Sequence, residues 1–402
     1  MFRLGFLLLL FNIVSSTIFN IKDYGAVGDG ITDDTNAILK AISQCTINGG
    51  VLYIPSGTFV IRSSLMFQTN VPFTISGDGM NSILLWQFDD HLIHILPSKE
   101  MNNEISEITI RDFLITSSLI GKSLNKFGIY GENLVKSHIE HLIFNSNDSK
   151  TSPISSGICF SGVADTNTVR DVIMWDIRGT GIEIGYGSEI RILGGRIIGA
   201  NTRFDQSIGI HCTGNNGGVH IDSTDIIGLA QGVLIENVNG HGSNREIFIN
   251  QATIDSNGEG LIIRDNSYVS IVGIWAASST KHQVYVEENT SALLTISGGT
   301  IFNGGVYECP NSSNWCNGIT IKSGSFILDG VHVRNNKGKG IWIVNQSVTQ
   351  FQIISSRIFQ NGQGLFINGS TFIISNNICK ENQIDNWIFN TTSSIISNNL
   401  FC

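Results

Sequence analysis

The sequence predicts an all-β solenoid, a right-handed parallel β-helix, because one strand phrase recurs through the chain and one tight polar corner recurs between the strands. The phrase is glycine, apolar, any residue, apolar, as in Gly157-Ile158-Cys159-Phe160, Gly181-Ile182-Glu183-Ile184, Gly209-Ile210-His211-Cys212 and Gly232-Val233-Leu234-Ile235. It runs from Gly128-Ile129 to Asn386-Trp387-Ile388-Phe389 in steps of 22 to 35 residues. Alternation of period two makes each phrase a strand, and a repeat of this length stacks coil upon coil. Ile182, Ile184, Val233, Ile235, Ile341, Ile343, Leu365 and Ile367 are therefore expected to point inward. The corner reads Ile221-Asp222-Ser223-Thr224-Asp225-Ile226, Ile374-Ser375-Asn376-Asn377-Ile378 and Ile396-Ser397-Asn398-Asn399-Leu400. Gly, Ser and Asn accept the left-handed conformation such corners need. Asn376 and Asn398 fall one coil apart and are expected to stack their amides in a ladder. A leucine-rich repeat would need a Leu-rich phrase with a helical half, and a propeller about four strands per 40–50 residues. Neither pattern is present.

Composition agrees with a stack. Among 402 residues there are 44 glycines and 5 prolines, and only 14% are charged. A solenoid of this length needs no second domain, since each coil touches only its neighbours. Arg3 precedes an apolar run from Leu4 to Val14, followed by Ser15, Ser16 and Thr17. Such a basic start, short apolar core and small-residue exit read as a secretory signal peptide over 1–16, with 17–402 as the single mature domain. The run is well short of the ~20 apolar residues that span a bilayer. Secretion to the extracellular space is the expectation, with sequons at Asn147, Asn289, Asn311, Asn345, Asn368 and Asn390 as candidate glycosylation loops. The net charge of −9 argues against nucleic acid or an anionic membrane as partner, and gives no help in attracting a polyanionic glycan.

Seven cysteines leave at least one without an intrachain partner. Cys309 and Cys316 bracket a short segment of the longest coil, where a bridge would close an insertion. Cys379 and Cys402 end matching corners one coil apart and are expected to form a second bridge. Cys212 should be a buried thiol, while Cys45 and Cys159 carry no assignment.

The N-terminal segment Asp23-Tyr-Gly-Ala-Val-Gly-Asp-Gly-Ile-Thr-Asp-Asp-Thr-Asn-Ala-Ile38 needs a separate account. Thr32 to Asp34 offer capping oxygens at a helix start, and Ala37, Ile38, Ala41 and Ile42 form one apolar face. A short amphipathic helix here would cap the open first coil. Gly49-Gly-Val-Leu-Tyr-Ile-Pro-Ser-Gly-Thr-Phe59 follows as two strands about a turn. Together these phrases resemble the pectate-lyase-like β-helix family that includes rhamnogalacturonase-type enzymes, polysaccharide epimerases and phage tailspikes. The resemblance implies the fold and a polysaccharide partner, either acted on by a lyase, epimerase or glycoside hydrolase or bound without catalysis by an adhesive, tailspike-like stack. Acidic or pectin-like glycans are the implied substrates. In that family the aspartate-rich phrase is structural, so Asp29, Asp33 and Asp34 are poor candidates for chemistry.

Galacturonan hydrolases of the family carry N-T-D, D-D, G-H-G and R-I-K phrases on successive coils. This chain offers Asn201-Thr202-Arg203, Asp222 with Asp225, Gly240-His241-Gly242 and Arg264-Asp265 in that order. Counted from the phrase glycines, these groups are out of phase, so a shared site of that type is not expected. Glu236, Arg264, Glu287 and Lys322 read instead as an alternating-charge ladder on the outer face. The column two residues after each phrase start gives Cys159, Glu183, His211, Leu234, Ile262, Tyr285, Thr320, Trp342, Phe366 and Ile388. Glu183 and His211 are then neighbours within ~6 Å, an acid/base pair or a solvated ion pair. Arg191 and His220, with Asp222 two residues on, and Arg196 with Asp225, lie on adjacent coils. Glu183, His211, Asp222 and Asp225 are the candidate catalytic residues. The aromatic end of the column awaits a covering loop, a sugar or an oligomer partner. Lyases of the superfamily hold Ca2+ with carboxylates, but no dense aspartate cluster falls in phase here, so no cofactor is expected.

Overall fold

Stacking of the recurring phrase determines the architecture. The computed structural model describes residues 17–401 apart from 99–102, 119–122, 147–152, 201–205, 239–245, 307–308, 310–314, 345–346, 369–370, 385–386 and 390–392. Among the described residues the strands pair in parallel into a 28-stranded sheet and a 16-stranded sheet, here sheets I and II. Sheet II collects the glycine phrases, from Leu65–Gln68 through Thr180–Ser188 and Ile208–Cys212 to Trp387–Phe389. Sheet I carries the strands on either side of the polar corner, such as Val219–Asp222 and Asp225–Ile227. All eight side chains expected inward are at most 2% exposed, and they belong to one continuous apolar core.

The phrase glycines have a packing reason. None from Gly157 to Gly232 has a positive φ, yet a Cβ on Gly157, Gly181, Gly209 or Gly232 would lie 2.4–2.7 Å from the carbonyl oxygen of the next phrase glycine. Glycine is needed there so that coils approach closely, not for an unusual backbone.

At the corners, Ser223, Gln251, Ser355, Asn376 and Asn398 take left-handed φ values of 51° to 59°. The amide ladder is shifted by one residue from the expectation. Asn376 and Asn398 supply the left-handed turn, while the next residues turn inward: Asn377 Nδ2 donates to Asn399 Oδ1 at 3.0 Å. A second ladder runs from Asn336 through Asn361 to Asn382, with amide bonds of 2.9 and 3.1 Å. The last coil is also shifted. Trp387, not Ile388, registers with Phe366, and Ile388 stands opposite the inward Ile367.

The helix Thr35–Asn48 buries Ile38, Ala41, Ile42 and Cys45 and lies against Leu65–Gln68, the end strand of sheet II. The aspartates before it serve the backbone. Asp34 accepts Val27 N–H at 2.6 Å, Asp29 accepts Ile31 and Thr32 N–H, and Asp33 accepts both N–H and O–H of Thr35. No helix among the described residues is long and apolar enough to cross a membrane.

Cys309 and Cys316 are bridged, with Cα atoms 5.8 Å apart. Cys212 is fully buried, which pushes its thiol up to about 12, and burial takes Cys45 to about 11. Cys379 is buried opposite Phe401, while its expected partner Cys402 lies outside the described residues, as do the signal segment 1–16 and the sequons at Asn147, Asn311, Asn345 and Asn390. Asn289 is exposed on a turn, and Asn368 is half-buried.

Candidate functional site

Register across sheet II puts Cys159, Glu183, His211, Leu234 and Ile262 in one outward column, one coil apart. Outward is not the same as exposed here: Leu234 and Ile262 are at most 2% exposed, so the face is covered along its middle. Tyr130 extends the column one coil before Cys159. The glycine phrase at Gly128 already signalled it, but that phrase is too short to show the full alternation.

His211 is the centre of the site. Its Nδ1 lies 3.7 Å from Glu183 Oε2, and its Nε2 lies 3.0 Å from Glu236 Oε1. Burial opposes charge on the ring, but the polar contacts and Coulombic pull of Glu183 and Glu236 outweigh it and raise its pKa above 6.5. Glu236 is held below its ordinary value, first by the bond to His211 and then, against burial, by Arg264. Arg264 reaches Glu236 and Glu287, each at 3.1 Å. The expected ladder thus forms, except that Lys322 pairs with Glu288 at 2.8 Å rather than with Glu287. Spacing alone kept the two columns apart, but imidazole reach joins them into Glu183–His211–Glu236–Arg264–Glu287.

Two clefts flank His211. The first, about 460 Å³, is lined by Tyr130, Cys159, Ser161, Glu183 and Tyr186. Burial raises the Tyr130 phenol, and Cys159, deeply buried, donates its thiol to Glu183 Oε1 at 3.7 Å. The second, about 520 Å³, is lined by Gln231, Glu236, Glu259, Arg264 and Lys281 among others. Glu183 and Glu236 therefore each face a cleft while sharing one nearly buried ring.

Residues 18–293 match the family model described as rhamnogalacturonase A/epimerase, pectate lyase-like. The chain belongs to this family. A probable rhamnogalacturonase C of Aspergillus niger is 23% identical over 281 residues, which take in 60% of this chain and 58% of the fungal protein. Mannuronan C5-epimerase AlgE4 of Azotobacter vinelandii is 30% identical over 105 residues, 24% of this chain and 19% of the bacterial one. Both relatives are thus matched over less than two thirds of their own length. A family 28 exopolygalacturonase of Yersinia enterocolitica superposes with a TM-score of 0.53 at 13% identity, covering 96% of this chain and 78% of that one, a likeness of fold.

Within this member of the pectate lyase-like family, the other candidates stand on sheet I. Asp222 accepts Asn250 Nδ2 at 2.6 Å, and Asp225 pairs with Arg196 at 2.7 Å. They flank the Ser223 corner on the other sheet, so the structure does not bring them to Glu183 and His211. His220 registers with Arg191 and stacks on Phe248. Asn201-Thr202-Arg203 and Gly240-His241-Gly242 lie outside the described residues. Toward the far end of the sheet II column Thr320 is buried while Tyr285, Trp342 and Phe366 are half-buried, with Lys322 over Tyr285 and Lys339 4.2 Å from the Trp342 ring. Among the described residues no group of three or more His, Cys, Asp or Glu is placed to hold a metal ion.

Proposed function

We propose that this protein is an exported, glycan-active enzyme of acidic or pectin-like polysaccharides, with Glu183 and His211 as the acid/base pair and Glu236 as the second carboxylate. The observation that carries the reading is one imidazole held between two carboxylates that open into separate clefts. The ring fills the space between the two carboxylates, so the reading rests on the Glu183–His211 pair working in the first cleft, with Glu236 holding the other side of the ring. In the hydrolytic form of this reading the Glu183–His211 pair protonates the leaving oxygen as the glycosidic C–O bond breaks, a water adds to the anomeric carbon, and the proton that water releases restores the pair. The names of the relatives support glycan as the partner, and the leader-like segment over 1–16 supports export. Glycosylation at Asn289 belongs to the same reading.

A non-catalytic, carbohydrate-binding stack is the second reading, favoured by the pairing of every ladder charge with a neighbour. Incubation with pectin, rhamnogalacturonan and alginate separates the two, scored for new reducing ends and for the ultraviolet absorbance of unsaturated products. Glu183→Gln and His211→Asn should each abolish turnover while the far-ultraviolet dichroism stays that of the wild type. Undiminished turnover in both variants would move the site elsewhere, and no turnover on any glycan would favour the binding stack.

A further inference from the structure

Sheet I has an outward column of its own, on the strands that follow the polar corner. It runs from Arg196 through Asp225 and Trp275 to His332 and Arg357, one residue per coil. Two residues further along the same strands lie Phe302, Arg334 and Phe359, again one coil apart. Between the two columns Ile301, Val333 and Ile358 are fully buried in the core. The early end of the first column is matched in charge, since Arg196 pairs with Asp225 at 2.7 Å. The late end is not. Arg357 is exposed and Arg334 half-buried, and among the described residues neither has a carboxylate in ion-pair reach. Glu381, one coil on, lies 3.4 Å from Lys380 instead.

An aromatic platform adjoins these cations. Trp275 is 48% exposed, a large ring left on the surface of a molecule that buries most of its aromatics. Phe302 holds it edge-on, with ring centroids 4.8 Å apart. The same Phe302 ring carries Arg334, whose guanidinium lies 4.5 Å from its centroid. Phe302 is itself buried, so one fixed ring orients both the tryptophan and the arginine. An arginine lying over a ring keeps its N–H edge for a planar carboxylate. Arg357 stands one coil beyond Arg334 and two residues back along the strand. One strand spacing of about 4.8 Å and two residues of about 3.3 Å put their Cα atoms on the order of 8 Å apart. Two free guanidiniums beside an exposed ring suit a sugar that carries a carboxylate, its apolar face against the tryptophan.

We propose that this face of sheet I is a binding surface for an acidic glycan, with Trp275 against a sugar ring and Arg334 and Arg357 on uronate carboxylates. The proposal goes beyond the acid/base pair at His211 and rests on that reading only for glycan as the class of partner. An apolar protein surface is a poor occupant, because it would bury two guanidiniums without counter-ions. A neutral sugar would leave both of them unused. The surface lies on the other sheet from the Glu183–Glu287 ladder, so a chain held here is anchored rather than cleaved. A molecule of net charge −9 thereby keeps one local positive face for a polyanion.

The test is calorimetric titration of the full-length protein with a short oligogalacturonide, and with neutral and sulfated galacto-oligosaccharides of equal length. The oligogalacturonide should bind most tightly, and added salt should weaken it. Trp275→Ala and Arg357→Gln should each weaken it about tenfold or more, while Trp275→Phe retains most of the affinity. Both side chains are exposed, so the unfolding midpoint of the variants should stay that of the wild type. Glu183→Gln should bind the oligogalacturonide as the wild type does. No detectable binding, or equal affinity in Trp275→Ala and Arg357→Gln, overturns the surface. Equal affinity for the neutral oligosaccharide overturns the acidic assignment, and tighter binding of the sulfated one overturns the carboxylate. Tighter, Trp275-dependent binding of a single-stranded oligonucleotide overturns glycan as the partner. Titration needs no turnover, so loss of binding in Glu183→Gln alone would sink this surface and leave the acid/base pair standing. Binding that depends on Trp275, in a protein that turns over no glycan, would do the reverse.

Discussion

At the residue scale the critical group is His211, whose charge depends on both neighbours. Its pKa is raised from 6.5, so the pairing stabilises the fold fully below that value and fades as pH rises through the folded value. The pKa of Glu236 is lowered from 4.5, so its share is present above 4.5 and is lost as pH falls through the depressed value. The ladder is complete between the two ordinary values, and there His211→Asn should cost on the order of 2 kcal/mol. Chemical unfolding across the pH range checks this: the gap to wild type should narrow on the alkaline side. A gap that stays constant far into alkali would mean the folded ring is uncharged. Glu183 beside His211 was legible from the phrase glycines, because register follows the repeat. Glu236 was legible only as part of a charge ladder, since its join to His211 depends on side-chain reach rather than spacing.

At the scale of elements, the corner does two jobs with adjacent residues, and this explains the one-residue error in the ladder. In Asn376-Asn377 the same residue type takes the left-handed turn and then the inward hydrogen bonds, so the sequence cannot distinguish them. Neighbouring corners can: Ser355-Ser356 pairs with them, and Asn377 Oδ1 accepts Ser356 N–H at 2.8 Å. The inward member carries the energy. Asn361 is fully buried, donates to Val333 O, Phe359 O and Asn382 Oδ1, and accepts both the backbone N–H and side-chain amide of Asn336. Asn361→Ala strands several of these groups and should cost about 2–3 kcal/mol, read as a lower urea midpoint. Asn376→Gly, at the outward left-handed position, should change the midpoint little. Equal losses in the two variants would contradict the division of labour.

At the scale of the whole molecule, charge and repeat together determine how a glycan can be held. The chain has a net charge of −9, and the sheet II ladder sets three carboxylates against one Arg and the shared imidazole of His211. A polyanion approaching this face meets repulsion that the paired cations do not cancel. Repulsion between exposed charges is screened over a Debye length of about 10 Å at 0.1 M salt, so added salt should help an acidic glycan bind. A cleft built to attract polyanions behaves in the opposite way, losing affinity as salt rises. The expected result is a KM for polygalacturonate that falls between low and moderate salt, while affinity for a neutral oligosaccharide hardly moves. A KM that rises steeply with salt would show that the acidic chain is drawn by a positive surface. The glycan path would then have to leave the Glu183–Glu287 ladder for another part of the stack.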